Sequence, residues 1–197
     1  MRYEIVLISR RCSMKKWHSL VVLAALVVFC AVPAQAGQWY VGAGLNSVSL
    51  GEDLGDIDSG QGLTFNFGYY FRPTFALDFV LGFSGHEDPF GDDLLYSRFD
   101  IGAEFAFGTG SGLSPYLVVG LGSHTLDYDD YFDSFTGTSL FLGGGFDYYI
   151  TPGHSVDFGL RVHAWEIDLE SGGVKYLDVG DATTTVLSVM YNYHFIM

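Results

Sequence analysis

The chain has 197 residues, with 23 acidic against nine basic ones and a mean hydropathy of +0.25. Its net charge of −14 repels phosphate backbones and argues against nucleic acid as a partner. An ordinary soluble surface is also excluded. Apolar residues make up 49% of the chain, with 17 Phe, 13 Tyr and 26 Gly, and the acids lie mostly between the apolar stretches, so something other than water must face those stretches.

Lys15 and Lys16 precede an apolar run over residues 20–32, and Pro33-Ala34-Gln35-Ala36-Gly37 follows it. A charged start, a short apolar stretch and a small-x-small site predict a secretory signal over residues 1–36, cleaved after Ala36, with Met14 as the expected start of translation. The run is too short for a stop-transfer helix, which needs about 20 apolar residues. A lipoprotein anchor at Cys30 would follow the bulky Phe29 instead of a small residue. Cys12 and Cys30 both leave with the leader, so the mature domain, residues 37–197, must close without a disulfide. It retains four basic residues, Arg72, Arg98, Arg161 and Lys175, against 22 acids, a net charge of −18. No linker divides it.

From Trp39 onward the hydropathy alternates with period two. Eight segments carry the pattern. Their large apolar sets begin with Trp39, Val41, Ala43 and Leu45, then Leu63, Phe65, Phe67 and Tyr69, then Leu77, Phe79, Leu81 and Phe83. Next come Phe99, Ile101, Ala103, Phe105 and Phe107, followed by Leu117, Val119 and Leu121. The last three are Leu140, Leu142, Phe146 and Tyr148; Val156, Phe158, Leu160 and Val162; and Leu187, Val189, Tyr191, Tyr193 and Phe195. The intervening positions are glycine, small or polar, with charges among them. A soluble barrel would put the large apolar residues inside. Large-out with polar-in predicts strands that face lipid, and a closed barrel satisfies every backbone group there.

Gaps after the second, fourth and sixth segments are short, while residues 49–61, 85–95, 124–137 and 166–182 form longer gaps expected to be external loops. Aromatics gather at the short-gap end, as in an interfacial girdle. The predicted fold is all-β: an eight-stranded, antiparallel, up-and-down transmembrane β-barrel with both termini in the periplasm.

Three pieces carry a resemblance to a known family: Gln38-Trp39-Tyr40-Val41-Gly42-Ala43-Gly44, the segment from Ser114 to Gly122, and the last strand. The mature chain resembles the small eight-stranded outer-membrane barrels, including the transmembrane domain of OmpA and the related OmpX and OmpW proteins. The resemblance implies a bacterial outer-membrane location, with lipid, lipopolysaccharide and the barrel-assembly machinery as partners. It implies an assembly signal at Leu187, Val189, Tyr191, Tyr193 and Phe195, although Ile196 and Met197 extend past the usual terminal Phe. No peptidoglycan-binding segment follows the barrel in this sequence.

The inward phase places Asp78, Arg98, Asp100, Glu104, Asp147, Asp157, Arg161 and His163 in a common lumen, joined by His194. Eight strands enclose a space that side chains just fill, so a filled polar lumen is expected. Inward glycines would make room for Tyr116 and Phe141. Five acids against two arginines leave open a narrow solute or cation channel with Arg161 at its centre. Each expected loop nets −4, and Asp127, Asp129, Asp130 and Asp133 are the densest candidates for Ca²⁺ or Mg²⁺, although no segment has the EF-hand spacing. A lipid A-modifying enzyme is a third alternative, but His163 lacks a nearby serine in sequence, and His86 and His124 are expected in loops. The expected role is therefore structural or surface-interacting, without catalysis or a resident cofactor.

Overall fold

The computed structural model describes residues 37–108, 112–128, 133–171 and 174–195. The predicted signal, residues 1–36, lies outside the described residues, as do Ile196 and Met197. Eight strands run through the described chain: β1 (Gln38–Glu52), β2 (Gly60–Arg72), β3 (Phe75–Glu87), β4 (Asp93–Ala106), β5 (Gly112–Tyr128), β6 (Asp133–Thr151), β7 (His154–Ser171) and β8 (Val174–His194). Each pairs antiparallel with the next, and β1 closes on β8 from Tyr40↔His194 to Glu52↔Ala182. Closure leaves no sheet edge along that seam, so backbone polar groups need no contact with lipid.

The alternation read from the sequence sets the faces. Leu45, Leu63, Leu121, Leu142 and Leu187 point outward and are more than half exposed, while Asn46, Thr64, Gly122, Phe141 and Val186 beside them point inward and are buried. Trp39 stacks on Phe67 at 5.0 Å and Phe75 lies 5.3 Å from Phe105, so the outer aromatics link into a band near the end that carries the chain termini. Register shifts at Tyr70/Arg72 and Tyr149/Thr151 fall just before the turns at this end, where bulges commonly terminate pairing. Inward glycines make room for large neighbours: a Cβ on Gly102 would stand 2.7 Å from Val118 Cγ2 and 3.0 Å from Phe141 Cζ.

The gaps differ from the expected long loops. Most of residues 49–52, 85–87, 93–95, 124–128, 133–137 and 166–182 belong to strands, and only short connections remain. At about 3.3 Å per residue, the 18 residues of β7 run roughly 60 Å. Even tilted by about 40°, such a strand rises well beyond the roughly 30 Å of a hydrocarbon core. The 13 residues of β2 and β3 little more than span it. The wall is therefore low at β2–β3 and tall at β6–β8, with an overhang above the apolar belt.

On the overhang the outward positions become Ser47, Ser49, Ser123, Thr125, Thr138, Glu166 and Asp181. The inward positions become apolar. Val48, Leu50, Leu94, Tyr96, Leu126, Trp165, Ile167 and Val186 form a buried cluster with Leu54, which turns in from the β1–β2 connection. This corrects the expectation of a lumen that is polar throughout: its far end is an apolar plug.

Candidate functional site

The interior is layered along the barrel axis. Nearest the termini, Tyr40, Tyr70, Tyr149 and His194 bring their rings together, with His194 5.1 Å from Tyr149 and 5.6 Å from Tyr40. Ser155 donates to Asp147 Oδ1 at 3.0 Å, and its oxygen also lies 3.0 Å from His194 Nε2. The serine proton is committed to the carboxylate, so His194 Nε2 must donate to Ser155.

In the next layer Tyr40 donates to Asp78 at 2.9 Å and Tyr70 donates to Glu104 at 2.7 Å. Arg161 reaches across the barrel, binding Asp78 through Nη2 and Asp100 through Nη1 at 3.3 Å. Arg98 binds the same Asp100 oxygen at 2.8 Å. Both arginines and both aspartates are buried, and the Arg161 guanidinium carbon sits 5.3 Å from the centre of the Phe141 ring. Charges taken out of water cost several kcal/mol each unless paired and hydrogen-bonded, which these four are.

Above the ion pairs runs a chain of neutral groups. Arg98 Nη1 lies 3.3 Å from His163 Nε2, His163 Nδ1 lies 3.2 Å from Ser139 Oγ, and Ser139 Oγ lies 2.7 Å from His124 Nε2. His124 Nδ1 in turn meets the Tyr96 hydroxyl. Arginine can only donate, so His163 Nε2 must accept. Its proton is then on Nδ1, facing Ser139 and, at 3.8 Å, Asp100. With the Ser139 hydroxyl proton directed at His124 Nε2, His124 donates through Nδ1 to Tyr96. The permanent charge of Arg98 orients the His163 end of this chain, which ends beneath the plug where His124 stacks on Trp165 at 4.9 Å.

All eight residues assigned to the lumen from sequence are buried inside the barrel. Asp78, Arg98, Asp100, Arg161 and His163 form one connected network, while Glu104, Asp147 and Asp157 lie around a small cavity nearer the termini. His86 and His124, expected in loops, instead point inward from β3 and β5, and each meets a serine: His86 lies 2.8 Å from Ser84 Oγ. Sequence reading ended those strands too early; the same alternation carried two or four residues further would have found both, and Tyr96. Ser139, His163 and Asp100 include a hydroxyl, an imidazole and a carboxylate in contact order, but Ser139 is 3% exposed and His163 is fully enclosed. Leu187, Val189, Tyr191, Tyr193 and Phe195 lie exposed along the outer face of β8. Of the candidate cation ligands, Asp127 is exposed at the end of β5, Asp129 and Asp130 lie outside the described residues, and only the backbone of Asp133 is described. Among the described residues no three His, Cys, Asp or Glu side chains converge in a metal-holding group.

The family model for the outer membrane protein beta-barrel domain matches residues 21–195. The chain belongs to that family. Solved structures of several outer-membrane barrels share the fold. Neisserial surface protein A is 21% identical with a TM-score of 0.59, covering 82% of this chain and all of its own. The outer membrane protein OprG from Pseudomonas aeruginosa is 15% identical at 0.57, covering 83% and 98%. Ail, the attachment invasion locus protein of Yersinia pestis, solved with the heparin analogue sucrose octasulfate, is 18% identical at 0.56, covering 82% and 100%. No curated protein matches the chain. The alternation of an outer-membrane barrel accounts for the exposed leucines and phenylalanines: they face lipid in a bacterial outer membrane.

Proposed function

We propose that this outer-membrane barrel is a closed, non-conducting, non-catalytic protein whose work lies at its acidic overhang, in envelope structure or surface interaction. The carrying observation is the apolar plug of Leu50, Leu94, Leu126, Trp165 and Ile167 seated over the Arg–Asp–His network. An apolar cluster above a cross-barrel network of paired arginines and aspartates interrupts the polar path through the lumen. The enclosed Ser139 and His163 have no room for a substrate, which supports the absence of catalysis.

The termini, at the end with the short turns, are assigned to the periplasm, and the overhang to the cell exterior. β8, with its outward apolar and aromatic row ending at Phe195, is assigned to recognition by the assembly machinery. Residues 49–61, 85–95, 124–137 and 166–182, the overhang with its connections, net −4 in each stretch, so a polysulfated ligand of the kind bound by Ail would be repelled here. A cationic partner, or lipopolysaccharide phosphates bridged by Ca²⁺ or Mg²⁺, suits the charge. No resident cofactor is assigned.

Planar-bilayer recording tests the reading. Silence is expected from wild type, and also from Trp165→Ala with Leu126→Ala, in which the Arg161 bridge and the Tyr40, Tyr70, Tyr149 and His194 layer still close the lumen. Steady wild-type openings that diminish in Asp100→Asn would establish the narrow cation channel instead.

A further inference from the structure

The lower lumen holds more carboxyl groups than its arginines pair. Arg161 and Arg98 are occupied by Asp78 and Asp100. Glu104, Asp147 and Asp157 have no ion-pair partner among the described residues, and Tyr70, Ser155 and Tyr116 supply their neutral donors. Asp157 Oδ1 has no donor in the protein, and neither do Asn66 Oδ1 and Asn192 Oδ1. These three residues are 4%, 8% and 3% exposed.

The two amide oxygens converge. Asn66 on β2 and Asn192 on β8 flank Gly42 on β1 in one ladder row. A Cβ on Gly42 would collide with both oxygens. The Asn192 orientation is fixed because its NH₂ group points to Asp147 at 3.4 Å. Asn66, Asn192, Asp147 and Asp157 all line one cavity of about 10 Å³, room for a single water-sized body. Three buried acceptor oxygens without a donor, on residues that line one small cavity, favour positive charge there.

We infer that this cavity binds one small, hard, monovalent cation of sodium's size, held by the Asn66 and Asn192 carbonyls and the free oxygen of Asp157. Tyr40 of the ring layer and Arg161 both line the cavity, so the ion is a structural counter-charge. This inference rests on the closed-lumen reading, since a conducting lumen would make the same oxygens a transit site.

The test uses the barrel in lipid nanodiscs, with sodium chloride replacing choline chloride at constant ionic strength. The side-chain amide signals of Asn66 and Asn192 should shift along one saturable curve. The unfolding equilibrium constant should fall about tenfold once sodium reaches ten times its Kd. Asp157→Asn should abolish both effects while leaving the surface acids in place. Where that variant fails to fold, Asn66→Leu read at the Asn192 signal serves the same purpose. Signals that do not move, or that move alike in Asp157→Asn, overturn the site and leave the cavity to water. Saturable binding together with steady conductance would retain the site and remove the closed-lumen reading; neither binding nor conductance would remove the site alone.

Discussion

The belt and the overhang are made by the same strands, with a register shift between Ile167 and Leu169 near the top of β7 and β8, yet they turn their apolar side chains to opposite faces. On β5, Leu117, Val119 and Leu121 point outward, and two residues further Ser123 and Thr125 take over that face while Leu126 is fully buried inside. On β7, Leu160 and Val162 face out, then Trp165 and Ile167 face in. The phase of the strand does not change; the surroundings do. Where lipid covers the wall, apolar side chains are favoured outside and charge must be satisfied within. Where water covers it, the hydrophobic effect favours the reverse. The comparison shows that a barrel can be a membrane protein and a soluble-type protein at different heights.

Five substitutions probe the two regions, each read by chemical unfolding in lipid. The largest effect is expected in the belt interior. Arg161→Met leaves Asp78 without its arginine and Asp100 with Arg98 alone, and breaking a buried pair in this way costs about 3–5 kcal/mol; a change below 1 kcal/mol would mean the network is hydrated. Next comes the plug. Leu126→Ala should cost about 2–5 kcal/mol because a rigid interior retains the cavity, whereas Leu121→Ala, 52% exposed on the outer face, should cost clearly less because acyl chains flow into the space. Equal losses at the two leucines would erase the distinction between the regions. The smallest effect concerns the outer wall. Leu160→Lys in the belt should cost about 2–4 kcal/mol, against about 0.5 kcal/mol or less for Thr185→Lys on the overhang. A comparable penalty at both positions would place the lipid boundary higher on the wall.

The difference between the two regions also explains what sequence reading missed. Apolar residues exchange parity where the belt ends: Leu45 gives way to Val48 and Leu50, Phe99 to Tyr96 and Leu94, Val162 to Trp165 and Ile167. A search for one apolar parity loses the pattern at each exchange. The acidic stretches beyond were therefore expected as loops, and His86 and His124 were assigned to them. The lumen residues of the belt were legible because their parity never broke. Their partners were not, since Tyr40, Tyr70, Ser139 and Ser155 are ordinary neutral residues until the closed ring of strands sets them against Asp78, Glu104, His163 and Asp147.

The sequence by itself determined the strand count, the pairing of each strand with the next, the face turned to lipid and the identity of the buried charges. Period-two alternation and turn spacing are local, and local chemistry is what a sequence displays. Tertiary structure alone decided which of five carboxylates Arg98 and Arg161 would take, which way the hydrogen bonds run from Arg98 to Tyr96, and that the far end would be plugged. Those outcomes depend on residues distant in sequence meeting across the barrel, 83 positions apart for Asp78 and Arg161, and on which solvent covers each height of its wall.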